Sequence, residues 1–140
     1  MQGKFLEELS VGQSAELVRT VGEADIVAFA EVTGDNNPVH LDADYAAKTP
    51  FGERIAHGML SAGYISAVLG AKLPGPGAIY LSQTLRFKRP VKIGDAVTAR
   101  ATITEIDEAK ARVTLATTCL VGGKAVADGE AVVMVPRKAA

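Results

Sequence analysis

The stretch GDNNPVHLD, residues 34–42, gathers two carboxylates, two carboxamides and one of the chain's two histidines around a proline. Asp35 precedes His40 by five residues, with Asn36, Asn37 and Pro38 between them. Those residue types favour a tight, rigid turn, because proline fixes its own φ and restricts the residue before it. Folded back, such a loop brings a carboxylate and an imidazole within reach of one water, which is the arrangement of a general acid–base pair. Asn36 or Asn37 can orient either group. The competing reading is an ordinary surface turn with a solvated histidine.

His57-Gly58 is the second constellation. It falls where a helix is expected to begin, and the unpaired N–H groups and dipole of a helix N-terminus suit a developing negative charge. Gly58, with no Cβ, lets a carbonyl group approach the backbone closely. The same glycine could instead simply ease packing of the helix on a sheet. Asp35, His40, Asp42 and His57 contain the donors of a two-histidine, one-carboxylate metal site. No spacing demands one, so no metal is expected.

These residues need elements to hold them. Residues 20–71 carry a helical pattern. Thr20 and Glu23 have capping-box spacing, Ile26, Phe29, Ala30 and Thr33 line one helical face, and Gly34 supplies a stop. The segment 57–72, HGMLSAGYISAVLGAK, has apolar or small residues on every side, which a half-exposed surface helix would not have. After Leu73 the PGPG run breaks the helix and period-two alternation takes over at residues 79–88, 97–104, 113–119 and 125–135. Gly94-Asp95, Asp107-Glu108 and Gly122-Gly123 fall between these runs as hairpin signals. Four long antiparallel strands are expected, with residues 14–20 as a fifth on the edge. A strongly curved sheet whose concave face buries the 57–72 helix all round satisfies both patterns, an α+β arrangement.

With 140 residues, nearly half of them apolar, the chain reads as one domain over residues 1–140 with a real core. The net charge of −1 is no electrostatic footprint for nucleic acid. The single Cys119 allows no internal disulfide and, lying in an apolar run, reads as a buried inert thiol. The start MQGKFLEELSVGQ has no signal-peptide pattern, and the apolar region 59–73 is interrupted and short for a membrane span, so a cytoplasmic protein is expected.

With both motifs in place, the sequence resembles the MaoC-like hydratase family, most closely its (R)-specific enoyl-CoA hydratases, which feed polyhydroxyalkanoate synthesis. The resemblance runs through GDNNPVHLD, Tyr45-Ala46-Ala47, IAHGML, LPGPGAIYLSQTLRFKRPVKIGD and GEAVV, nearly the whole chain. It implies a hot-dog fold, an antiparallel sheet of about five strands around a long central helix. It also implies a homodimer with its cleft at the subunit interface, and no metal or organic cofactor. By the same resemblance Asp35 and His40 are the catalytic pair and Gly58 is the backbone oxyanion donor. Asn37, Ser66, further along the central helix, and Leu69 and Val132, in the acyl pocket, would be the substrate-binding residues. The implied reaction adds water reversibly to a trans-2-enoyl-CoA, giving the (R)-3-hydroxyacyl-CoA.

Arg86, Lys88, Arg89 and Lys92 cluster in RFKRPVK. A solvated sheet edge is the simpler reading, and pairing with CoA phosphates the alternative. Three rival functions share these features: a hot-dog acyl-CoA thioesterase, a non-enzymatic acyl-thioester binder, and a dehydratase subunit working on acyl carrier protein or beside an unlike partner. A thioesterase usually places one carboxylate at the central helix, whereas here the carboxylate sits in a loop beside a histidine. Neither membrane nor nucleic acid is an expected partner.

Overall fold

The structure is a computed structural model and describes residues 2–138. A 3-10 turn at Leu6–Glu8 leads into β1 (Ser14–Thr20), then α1 (Glu23–Thr33), α2 (Pro38–Leu41), α3 (Ala43–Ala47) and α4 (Gly58–Ala71). Four strands follow: β2 (Ile79–Phe87), β3 (Ala96–Asp107), β4 (Arg112–Val121) and β5 (Lys124–Met134). They form one antiparallel sheet in the order β1-β3-β4-β5-β2, which bears out the five strands and places β1 on an edge. The long helix α4 packs against β1, β3 and β4. This is the hot-dog arrangement.

Alternation in the strands builds the core. Val97, Ala99, Ala101 and Ile103 of β3 meet Val113, Leu115 and Cys119 of β4 and Ala131 and Val133 of β5, all essentially inaccessible. From α4, Ile65, Val68 and Leu69 close on them. Burial pushes the Cys119 thiol up to about 11, so the inert reading of that cysteine stands.

Three local expectations are corrected. The capping residue of α1 is Gly22, whose N–H donates to the Asp25 carboxylate at 2.8 Å, while Thr20 belongs to β1. Gly94-Asp95 does not make a hairpin, because β2 and β3 lie at different places in the sheet. Instead Gly94 N–H donates to the Val21 carbonyl at 2.8 Å and Val21 N–H to that of Asp95 at 2.9 Å, fastening the turn to the end of β1. Gly122-Gly123 is a true hairpin, both residues having positive φ as a two-residue primed turn requires. Finally, α4 is not buried all round. Ser61, Ile65, Val68 and Leu69 are buried against the sheet, whereas Met59, Gly63, Ser66, Ala67 and Gly70 are exposed.

Candidate active site

The loop after α1 is set by a relay of short local bonds. Gly34 adopts φ +81°, a left-handed conformation suited to glycine, and donates to the Ala30 carbonyl at 2.9 Å, ending the helix as the sequence indicates. Thr33 Oγ1 then accepts the Asp35 N–H at 3.1 Å, and Asp35 Oδ1 accepts the Asn37 N–H at 3.3 Å. Asn37 Oδ1 accepts the Val39 N–H at 3.2 Å and caps α2, whose first residue is Pro38. Asp42 caps α3 through the N–H groups of Asp44 and Tyr45. The turn-formers of GDNNPVHLD thus immobilise the loop, and Asn37 and Asp42 act there as caps.

His40 sits on α2, mostly buried, and its Nδ1 lies 2.7 Å from the Ile55 carbonyl oxygen. A carbonyl only accepts, so Nδ1 carries a proton, and in the neutral ring Nε2 keeps its lone pair. The His40 carbonyl receives a 2.6 Å hydrogen bond from Arg54 Nε, and the other two guanidinium nitrogens of Arg54 fork onto Glu23 of α1 at 2.7 and 3.1 Å. His57, just before α4, is 2% exposed and stacks on His40 with ring centroids 3.9 Å apart and planes 29° apart. Donor atoms of Asp35, His40 and His57 all lie within 4.8 Å of one another. The lone pairs of imidazoles lie in their ring planes, so two near-parallel rings do not aim at a common ion. The geometry suits proton transfer better than metal ligation.

Gly58 is the first residue of α4, so its N–H has no intrahelical acceptor. Gly58 and His40 line one cavity of about 400 Å³, with Met59, Phe87, Arg89 and Val91 among its other walls. A Cβ at Gly58 would stand 2.9 Å from the Phe87 ring, so the backbone here is approachable only as glycine. Ser66 lines a neighbouring cavity of about 640 Å³ between the open face of α4 and β2, and Met59 and Phe87 border both spaces. Leu69 is 2% exposed in the core and Val132 lies on the face of β5 turned away from that core; neither lines either cavity. The chain therefore brings Asp35 beside His40, sets His40 and Gly58 on one cavity that Asp35 itself does not line, places Ser66 one cavity away, and leaves Leu69 and Val132 apart.

Of the basic cluster, Lys88 pairs with Asp128 at 2.7 Å and Lys92 with Glu53 at 3.3 Å. Arg86 and Arg89 are exposed on and just after the edge strand β2, and Lys88 and Arg89 also border the His40 cavity. Sequence reading missed Arg54 altogether. Its partners lie 14 and 31 residues away, a contact that no local pattern announces. Arg54→Met is expected to lower stability by about 1–2 kcal/mol, chiefly through the part-buried bond to the His40 carbonyl. The exposed Glu23 end adds little. Denaturant unfolding checks this, and an unchanged midpoint would show that Arg54 does not hold the loop.

Similarities to known proteins agree with this geometry. The MaoC like domain family matches residues 7–124. A curated relative from Rhodospirillum rubrum, "(R)-specific enoyl-CoA hydratase", is 57% identical over 134 residues, covering 96% of this chain and 93% of that one. A "3-hydroxybutyryl-CoA dehydratase" from Methylorubrum extorquens is 53% identical, covering 96% and 85%. Among solved structures, the unliganded R-hydratase PhaJ1 from Pseudomonas aeruginosa superposes with a TM-score of 0.92 at 52% identity, covering 97% of this chain and 88% of that one. The hot-dog sheet, the loop that carries Asp35 and His40 and these matches have one reading: the chain belongs to the MaoC-like domain family.

Proposed function

We propose that this chain is an (R)-specific enoyl-CoA hydratase, a hydro-lyase that adds water reversibly to trans-2-enoyl-CoA to give (R)-3-hydroxyacyl-CoA. The reading is supported by His40, whose Nδ1 is tied to the Ile55 carbonyl, and Gly58, the first residue of α4, lining one cavity, with the Asp35 carboxylate beside the histidine. In the forward direction a water held between Asp35 and His40 gives its oxygen to C3. One of its protons passes through the pair and returns to C2 on the same face. Negative charge developing on the thioester oxygen meets the Gly58 N–H and the N-terminal dipole of α4. The named relatives carry out hydration or dehydration of acyl-CoA, the two directions of one equilibrium.

The rest of the reading covers the whole chain as one such domain, working in the cytoplasm as a homodimer. No helix among the described residues is long and apolar enough to cross a membrane. Support for the dimer comes from the open face of α4, where a Cβ at Gly63 or Gly70 would meet nothing within 4 Å among the described residues. The edge strand β2 adds exposed Ile79, Leu81 and Phe87. A second copy packed there would also close the cavity lined by Ser66.

The test is loss of enoyl-thioester absorbance with trans-2-butenoyl-CoA, with chiral analysis of the product and a thiol assay in parallel. The (R)-3-hydroxy product without free thiol is expected. Free CoA thiol would turn the assignment to a thioesterase, and turnover only on acyl carrier protein would make the chain a dehydratase of that carrier. Light scattering on the same sample should give twice the chain mass at micromolar concentration; a monomer would remove the shared cleft.

A further inference from the structure

His57 lines neither cavity, yet it touches both Asp35 and His40, and His40 lines one of them. Its Nε2 lies 2.9 Å from the backbone carbonyl oxygen of Asp35, an acceptor only, so His57 must carry its proton on Nε2. One face of its ring backs His40 at 3.9 Å, and Phe29 of α1 stands 4.6 Å away, tilted by 43°. The remaining nitrogen, Nδ1, is buried without any hydrogen-bond partner. A core position kept only for packing would be better filled by an apolar ring, since this nitrogen is desolvated for nothing. The donor at Nε2 and the flat face are what the imidazole contributes.

We infer that His57 is a positioning residue for the Asp35–His40 pair: its Nε2–H holds the Asp35 backbone while its ring face sets the plane of the His40 imidazole. The inference rests on the hydratase reading. It joins three elements that are separate in sequence, the loop after α1, the short helix α2 and the start of α4, at one side chain. Two hydrogen bonds to carbonyls then fix opposite tautomers in the chain's two histidines, Nδ1–H in His40 and Nε2–H in His57. The first leaves Nε2 of His40 free to handle a proton. The second leaves His57 with no proton to exchange toward the cavity, and its role is mechanical.

Long-range proton–nitrogen correlation on protein labelled with ¹⁵N-histidine reads the tautomers without any assay of activity. With only two histidines, His57→Gln assigns both rings. One Nδ1–H and one Nε2–H tautomer are expected, and an Nδ1–H tautomer at His57 would overturn the inference. Kinetics tests the consequence. His57→Leu removes donor and ring, and because misplacing a reacting group by an ångström can lower a rate on the order of 10²-fold, kcat should fall by about that factor while KM holds. His57→Gln, which keeps a donor near the Nε2 position, and His57→Phe, which keeps the ring, should each recover part of the loss.

Full kcat in His57→Leu, a rise in KM in place of a fall in kcat, or Gln and Phe variants no better than Leu would each overturn the positioning role. Should His57→Leu fail to fold, wild-type kcat in both of the other variants would do the same. Asp35→Asn run alongside separates the two levels. If it retains turnover, the acid–base reading fails; if it is inactive while His57→Leu is fully active, only the role of His57 falls.

Discussion

Asp35→Asn should lose nearly all hydratase activity, by about 10²–10⁴ in kcat, the usual worth of positioned acid–base help, while the fold and the proposed dimer persist. The substitution isolates chemistry from architecture. The Asp35 side chain makes one local bond, accepting the Asn37 N–H through Oδ1, and the carboxamide oxygen of an asparagine can accept the same bond. Its N–H still reaches Thr33 Oγ1, and the His57 bond goes to its backbone carbonyl. What disappears is the charge and the proton-accepting capacity. His40→Asn is the matching change on the partner, because an asparagine amide can donate to the Ile55 carbonyl as Nδ1 does but offers no second nitrogen. If the two residues act on one water, the double variant should be little worse than either single one, since groups working as a unit lose their effect together. Near-wild-type turnover in Asp35→Asn, or losses that multiply in the double variant, would sink the shared-water mechanism.

Much of this was legible in the chain because the signals are local. Alternation in Val97–Ile103 and Val113–Cys119 is the core itself, and Gly122-Gly123 could scarcely be anything but a tight hairpin. The loop proposed as catalytic was equally readable: the bonds that the N–H groups of Gly34, Asp35, Asn37 and Val39 donate each span four residues or fewer, so residue types and order nearly determine the turn. Sequence spacing was silent where partners are distant. Nothing in the composition of β2 tells that it pairs with β5 and not with β3, so Gly94-Asp95 looked like a hairpin when it is a clamp on β1. Arg54 and the stacking of His57 on His40 depend on how α1, α2 and α4 meet, which only the folded chain decides. The expectation of a helix buried all round failed for an instructive reason. Small residues on every side of α4 do signal burial, but among the described residues one face of the helix stays exposed. This is why the open face weighs toward a second copy.

The oxyanion role proposed for Gly58 admits an unusually clean test, because proline can remove its N–H without breaking the helix. Gly58 is the first residue of α4, where proline is well tolerated, and His57 before it has φ −59° and ψ 134°, the extended conformation a residue preceding proline requires. The obstacle is steric. Any Cβ here would meet the Phe87 ring at 2.9 Å, so a lone Gly58→Pro change would confound a lost donor with a displaced ring. Phe87 is 54% exposed, and trimming it to alanine relieves the contact at little expense to the core. The informative pair is then Gly58→Ala with Phe87→Ala against Gly58→Pro with Phe87→Ala. Both carry a Cβ and both lack the ring, and they differ chiefly in the N–H. Loss of one oxyanion donor typically lowers kcat by about 10²–10³-fold, so the proline variant should fall below the alanine variant by that factor with similar melting temperatures. Equal rates would mean that the thioester oxygen is stabilised elsewhere, and that glycine is needed at this position only to leave room for Phe87.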